Sequence, residues 1–586
     1  MIQNKEILRI VQRIIPYSVR RLAKRLIRTY LLKPHPDWEY ILAPDRIQWQ
    51  AAVATAKDGP RCLIATSTGG LSLATHIESM LAVALTLRGA NVHILLCDQV
   101  LPACSESMIQ LIPDEVFSQY GPKKDICKQC YSPAYKMYQS LGLTVHRYSE
   151  YLTATEFQIA EKLSSTILFA EIENYVEDGL AIGEHALSGA LRFYGSGSLG
   201  REALGESCLR RYFKASLLAA YAVRRLLNAY DFQNSCFHHG IYVPQGLIGE
   251  VLRQKNIPLV NWCVAYRQGC FIFSHHDTYH HTLLTEPTTN WENMEWNDKL
   301  ESEIMDYLKS RWQGTRDWIR FNENPQEELS VISNELGVDF SKPCVGMLTN
   351  VMWDAQLHYR ANAFENMLEW VLYTIRYFAS RPDLQLIIRV HPAEIKGTIP
   401  SRQPIIHEIK KNFPELPSNI IIIPPESPIS TYVVMMQSNA VLIYGTKAGV
   451  ELSSMSIPII VGGEAWIRNK GITMDASSPE EYLNLLNQLP LKEKISEEIT
   501  QRARKYAYHF FFRRMIPLSC VEPTPGWPPY KLRLSRIKEL MPGIDIGLDV
   551  ICDGILNGKE FIYPAETISQ PLEYAETLNA IKHLAC

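Results

Sequence analysis

Cys344-Val345-Gly346-Met347-Leu348 is a short apolar run, and it opens a series that recurs at 384–390, 419–423, 440–444 and 457–462. Helical patterns fill the gaps at 361–380, 404–413, 428–438, 447–455 and 478–488. Strand and helix alternate almost without loops, which predicts a parallel sheet covered by helices on both faces. Upstream, Cys62-Leu63-Ile64-Ala65-Thr66, the Gly69-Gly70 turn, a helical stretch over 72–88 and the run 92–97 spell a βαβ unit. Further runs at 166–170, 235–242 and 258–264, with a helical stretch at 209–229, extend it. Two successive α/β domains of nucleotide-binding size imply a cleft between the carboxyl ends of their strands, where such sheets bind ligands.

The expected division is a basic amphipathic segment over 1–44, a first Rossmann-like domain over 45–335, a second over 336–490 and a helical or irregular extension over 491–586. The linker falls at 322–342, around Pro325.

Length and composition narrow the function classes. A chain of 586 residues, 46% hydrophobic and 21% charged, is an ordinary globular one and excludes a single small module or a disordered polymer. A net charge of -3 gives no electrostatic case for nucleic acid. No apolar stretch reaches the length of a membrane span, and the first thirty residues lack a signal-peptide core. The expected location is therefore cytoplasmic. Charge is nevertheless uneven: residues 1–33 carry nine Lys and Arg against the single acid Glu6. Val19, Leu22, Ala23, Leu26, Ile27 and Tyr30 lie on one helical face there, so the segment reads as a surface anchor on anionic lipid, at the inner face of a membrane, or as a helix docked on the protein's own body.

Three strand ends in the second domain share one chemical character. Arg389-Val390-His391-Pro392-Ala393-Glu394 places Arg, His and Glu beyond a strand that Pro392 terminates. His391 and Arg389 offer N–H donors to a phosphate, with loop-tying as the plain alternative. Gly445-Thr446-Lys447-Ala448-Gly449-Val450-Glu451 lets an anion approach a helix start, with Thr446 and Lys447 toward phosphates and Glu451 toward a ribose. Its alternative is a surface Lys447–Glu451 pair. Gly463, Glu464 and Arg468 repeat the pattern after the last run.

With these motifs the chain resembles the two-domain GT-B glycosyltransferases over about 60–490, particularly bacterial capsule and surface-polysaccharide transferases and the sialyl/Kdo transferase-like group. The resemblance rests on His391-Pro392, on the acidic-acidic-Gly tripeptide Glu177-Asp178-Gly179 and on the Thr446 to Glu451 stretch. It implies that Asp178, or its neighbour Glu177, is the base and that His391 assists the leaving nucleotide. The loop at Gly69-Gly70, with His76 further on, resembles the Gly-rich loop where acceptor and donor meet, with a plain helix-starting turn as the alternative. His239 after another apolar run reads as an acceptor contact or as part of a strand–turn–helix packed for its own sake, and His275 to His281 as an acceptor wall or a mononuclear metal site. The expected partners are a nucleotide-sugar donor and a glycan or lipid-linked glycan acceptor, with inversion and no catalytic cofactor. A nucleotide-sugar 2-epimerase and a noncatalytic glycan-binding assembly factor are the rival readings.

Thirteen cysteines without an export signal fit reduced thiols. Cys97, Cys104, Cys127 and Cys130 include a C-x2-C pair and admit a structural zinc or an iron–sulfur cluster, with separate buried thiols as the alternative.

Overall fold

A computed structural model describes residues 35–122, 124–312, 317–318, 325–524 and 528–568. The basic segment over 1–33, and with it the helix expected there, lies outside the described residues.

The first sheet contains β1 (Arg61–Ser67), β2 (Asn91–Leu96), β3 (Thr144–Arg147), β4 (Asn234–His238), β5 (Leu259–Val264) and β6 (Cys270–His275). The second contains β7 (Cys344–Leu348), β8 (Gln385–Arg389), β9 (Ile420–Ile423), β10 (Ala440–Ile443), β11 (Ile459–Val461) and β12 (Met474–Asp475). Strand order in the second sheet is β12-β11-β10-β7-β8-β9, parallel throughout. The first runs β6-β5-β4-β1-β2-β3, parallel except for β6, and a two-residue strand β13 (Ile516–Pro517) pairs antiparallel with β6 at its edge. Both sheets reverse their winding beside their first strand, so the chain is α/β with two Rossmann-like domains, as expected.

One expectation fails locally. The run 166–170 is not a strand: Glu156 accepts the Thr153 N–H at 2.8 Å, a capping box that starts helix Ala154–Thr166, and the apolar Leu168 and Phe169 beyond it are exposed. The chain past 490, expected as a helical or irregular extension, packs back on the body of the protein. Helix Glu497–Tyr508 packs along helix Asp298–Trp312, then the backbone crosses to the first domain, adds β13 and lays helix Ile546–Asn557 against β4 and helix Ser72–Leu87. Helix Ser72–Leu87 is buried from Leu73 to Thr86 because the returning tail covers the face that would otherwise meet water. Among the described residues no helix is long and apolar enough to cross a membrane.

Inside that helix sits Glu78, 2% exposed. Its Oε1 accepts from Thr66 Oγ1 and, at 3.1 Å, from Trp262 Nε1, while Thr66 Oγ1 accepts the His238 N–H at 2.8 Å. One carboxyl group thus ties the ends of β1, β4 and β5. Burial pushes its pKa up to about 8, against the pull of Thr66 and Trp262. Between about pH 4.3, where the unfolded side chain ionises, and pH 8 the folded state holds a proton that the unfolded state releases. Stability contributed by this site is full below that window and lost as pH rises through it. In Glu78→Gln this component vanishes, so the variant gains unfolding temperature relative to the parent on going from pH 5 to pH 8, measured by calorimetry. An identical pH dependence in both proteins would show that Glu78 is ionised when folded.

Candidate active site

The carboxyl ends of β1, β4 and β5 meet those of β7, β8, β10 and β11 across the cleft. Backbone strain gathers there. Ser67 at the end of β1 has φ 65°, His239 just past β4 has φ 66° and Ala355 in the loop after β7 has φ 52°, a left-handed conformation that non-glycine residues adopt at a cost.

Asp354 lies in the β7 loop beside Ala355. Tyr242 of the first domain donates its O–H to Asp354 Oδ1 at 2.8 Å and accepts the Ala355 N–H at 2.9 Å, so one phenol fixes a carboxylate of the other domain. The Arg192 guanidinium stands 5.1 Å from the Tyr242 ring centre. From Tyr242 a wall of rings crosses the cleft. His239 stacks on Tyr242 at 4.9 Å, His280 follows at 6.4 Å, Trp466 lies 5.8 Å from His280 and 5.5 Å from Tyr279, and Tyr266 lies 5.8 Å from Trp466. Burial, with Arg192 nearby, holds His239 down to about 4, and burial beside His239 holds His280 down to about 3, so both rings are neutral at pH 7.

Four buried polar atoms on the cleft walls have no hydrogen-bond partner: His239 Nδ1, Thr278 Oγ1, Asn350 Oδ1 and Glu464 Oε2. Buried polar groups are nearly always paired. Buried polar atoms without a partner occur elsewhere among the described residues as well, and these four are the ones that a polar ligand in the cleft could satisfy.

On the second-domain side, His391 Nδ1 accepts the Ala393 N–H at 3.1 Å, which leaves the ring proton on Nε2 as a donor. Burial, then Lys447 and Arg389, lowers its pKa to about 4, so it donates as a neutral imidazole. Lys447 Nζ sits 4.7 Å from the Tyr266 ring centre. Burial, with Arg311 close by, holds the ammonium below the usual lysine value, against the pull of Glu451. Gly445 has room above it, with Glu464 and Asn350 as its nearest neighbours, and Thr446 Oγ1 accepts the Ala448 N–H at 3.3 Å. The helix that continues from it, Ala448–Ser453, is only six residues long. Positive charge at this end comes from Lys447 more than from aligned peptide dipoles.

Several expected donor residues hold the scaffold instead. Arg389, 2% exposed, donates to Pro424 O at 2.6 Å, Ser427 O at 3.1 Å and Thr431 Oγ1 at 3.2 Å, pinning the loop after β9. Glu394 accepts the Ile405 N–H at 3.1 Å, and burial raises it to about 7. Arg468 donates to Ala476 O at 2.7 Å and Ser477 Oγ at 2.6 Å. A Cβ on Gly463 would meet Tyr444 O at 2.6 Å, so that glycine serves close packing. Glu464 accepts the Ala361 N–H at 2.9 Å, and its other oxygen lies 3.9 Å from His281 Nε2, which keeps it at the cleft.

Glu451 is fully buried and engaged. Arg311 NH2 stands 3.0 Å from its Oε1, Lys447 Nζ 3.6 Å, and Tyr432 donates its O–H to Oε2. Burial alone would raise the carboxyl, but Arg311 and Lys447 hold it below its ordinary value. The ribose contact expected of Glu451 is taken by a guanidinium.

The acidic tripeptide is displaced altogether. Glu177 and Leu180 exchange backbone hydrogen bonds at 3.1 and 2.9 Å, and Asp178 and Gly179 both have positive φ, 51° and 84°, the geometry of a type I′ turn, for which Asp-Gly is a favoured sequence. Asp178, 71% exposed, pairs with Arg224 at 3.0 Å, and its carbonyl accepts from Gln254 at the far end of helix Gln245–Gln254, which starts at the cleft. Glu177 accepts from Tyr221 at 3.1 Å and Tyr175 at 3.3 Å. Neither carboxylate faces the cleft.

On the first-domain side, Gly69 is packed under Cys130 O and Ala134, and the Gly70 N–H donates to Cys130 Sγ at 3.0 Å. Gln245 holds the loop by donating to Thr66 O at 3.1 Å and Thr68 Oγ1 at 3.2 Å. His76 faces the returning tail, edge-on to Tyr530 at 6.5 Å, rather than the cleft. Cys97, Cys104, Cys127 and Cys130 share this neighbourhood, yet among the described residues no group of three or more His, Cys, Asp or Glu is placed to hold a metal ion. Burial raises all four thiols, Cys127 to about 11.

Sequence reasoning missed Asp354, Tyr242, Tyr266, Trp466 and Arg192. The signal for Asp354 was its position in the loop after the first strand of the second sheet, where the winding reverses.

No family model and no curated protein matches the chain. Among solved structures, the chain is similar to KpsC, a beta Kdo 2,4 transferase of Thermosulfurimonas dismutans, at 9% identity over 53% of this chain and 87% of that one, with a TM-score of 0.33. It is similar to a UDP-GlcNAc 2-epimerase from Neisseria meningitidis bound to UDP-GlcNAc at 10% identity over 76% and 95%, with a TM-score of 0.21. The third is the spinosyn rhamnosyltransferase SpnG complexed with spinosyn aglycone, at 12% identity over 76% and 96%, with a TM-score of 0.22. Likenesses this distant say nothing of the chemistry in the cleft.

Proposed function

We propose that the chain is a glycosyltransferase that moves a sugar from a nucleotide-activated donor to a hydroxyl of a surface or capsular glycan, free or lipid-linked, with inversion at the anomeric carbon. The observation that carries this reading is the meeting of Asp354 and Tyr242 across the domain cleft, together with Lys447, which lies over the Tyr266 ring and acts on His391. In it the acceptor hydroxyl attacks the anomeric carbon, Asp354 takes the hydroxyl proton, and the bond to the nucleotide phosphate breaks with its electrons on the phosphate oxygen. The Lys447 ammonium and the His391 Nε2–H meet that charge. Tyr266, Tyr279 and Trp466 offer sugar rings an apolar face, and His239 Nδ1 and Glu464 Oε2, which make no hydrogen bond within the protein, offer hydrogen bonds to hydroxyls. The reading assigns no divalent ion to the step.

Calorimetric titration with UDP, GDP, CMP and dTDP, beside a transfer assay, tests it. Asp354→Asn keeps nucleotide affinity and loses about 10²–10⁴-fold in turnover, the usual worth of a general base. Lys447→Ala and His391→Ala weaken nucleotide binding about tenfold or more, because each removes a donor to phosphate. Asp178→Asn leaves both unchanged. Binding of none of the four nucleotides would overturn the reading, and release of epimerised sugar without acceptor would replace transfer by epimerisation.

The lowered Lys447 pKa gives a second expectation. Its charge is present at low pH and is lost as pH rises through a value below that of an ordinary lysine, about 10.4. Nucleotide affinity therefore falls between pH 7 and pH 10 in the parent and stays flat in Lys447→Arg, read by calorimetry. A flat profile in the parent would remove Lys447 from the phosphate site.

A further inference from the structure

The first described helices carry an apolar face that the fold does not use. Helices Trp38–Leu42 and Arg46–Ala56 are joined through a single 3-10 turn, Ala43–Asp45. Trp38, Ile41, Leu42, Trp49 and Ala56 point into the first domain and are buried. On the other side Tyr40, Ala43, Ile47, Ala51 and Ala54 recur at spacings of three and four, which puts them on one helical face, and all five are exposed. Tyr40 is 72% exposed and Ile47 85%, the highest values among the large hydrophobic side chains described. Pro44 is exposed beside them, and Arg46 and Lys57 are exposed nearby, as are the acids Asp37, Glu39 and Asp58. Asp45 is paired with Arg536 at 2.6 Å, so the positive charge on this side of the molecule is that of residues 1–33.

Charge decides the occupant. The chain reaches this face directly from residues 1–33, where nine Lys and Arg stand against one Glu, while the whole protein carries a net charge of -3. A protein partner would need an acidic surface matched to both stretches. A bilayer rich in anionic headgroups offers negative charge and an apolar layer together, in any register.

We propose that the face formed by Tyr40, Ala43, Ile47, Ala51 and Ala54 is a membrane-contact surface, set on an anionic bilayer by the basic residues of 1–33, with Ile47 entering the acyl boundary and Tyr40 lying at headgroup level. Arg20, Arg21, Lys24 and Arg25 supply electrostatic attraction, and the exposed face supplies apolar burial. The two contributions are separable, and neither draws on the cleft or on the reaction proposed for it.

The test is co-sedimentation of the full chain with vesicles of phosphatidylcholine alone and of phosphatidylcholine mixed with phosphatidylglycerol. The parent binds the mixed vesicles, and added salt weakens binding. A Tyr40→Asp, Ile47→Asp double variant loses about tenfold or more in vesicle affinity at an unchanged unfolding temperature and nucleotide affinity, since both side chains are on the surface and outside the cleft. Arg20→Glu with Arg21→Glu removes the salt-sensitive part while retaining the full chain. Vesicle binding by the double variant equal to the parent overturns the proposal. So does a concentration-dependent dimer of the parent that the double variant abolishes, because the face would then cover a second copy of the chain.

Discussion

Arg311 is the group on which the cleft's shape depends. Its guanidinium is buried between the domains, within 3.0 Å of Glu451 on the second-domain side, paired with Asp317 and 3.2 Å from the Tyr307 hydroxyl. Asp317 and Trp318 in turn bond to Gln268 and Tyr266, the turn between β5 and β6 that walls the first-domain side. A charge removed from water this completely is not a cheap source of stability, because desolvation offsets much of the attraction. What it does impose is position: removing one partner would strand the others, at a cost of about 3–5 kcal/mol. Tyr266 is thereby held where Lys447 lies across its ring, and the walls assigned to acceptor and phosphate keep one spacing.

The fold was legible wherever strands were buried on both faces. The runs at 344–348, 384–390 and 440–444 carry their own boundary, since an unbroken apolar pentamer flanked by helical patterns has few other homes. β13 was not legible, because it pairs with β6, a segment far away in sequence, and its two residues leave no local period. At the site, His391 and Lys447 could be found from strand-end position. Arg389, Glu394 and Arg468 have the same composition but point into the scaffold, and a residue's type does not disclose which side of a strand end its side chain takes.

The acidic tripeptide is the clearest lesson. Asp-Gly carries two meanings in sequence, a carboxylate for chemistry and a pair that accepts positive φ, and the backbone exchange between Glu177 and Leu180 selects the second. Asp354 gave no motif at all. Its placement depends on Tyr242, more than a hundred residues upstream, and only folding brings the two together.

The returning tail also sets an order of assembly. β6 leaves the first sheet with an open edge, and helix Ser72–Leu87 has one apolar face uncovered, until β13 and helix Ile546–Asn557 arrive after the second domain. A growing chain therefore exposes a pairing-competent strand edge and an apolar helix throughout translation of the second domain, the kind of surface that recruits chaperones or misassembles. The same return means that the backbone passes between the domains twice, so two covalent connections, rather than one, tie the walls of the cleft together.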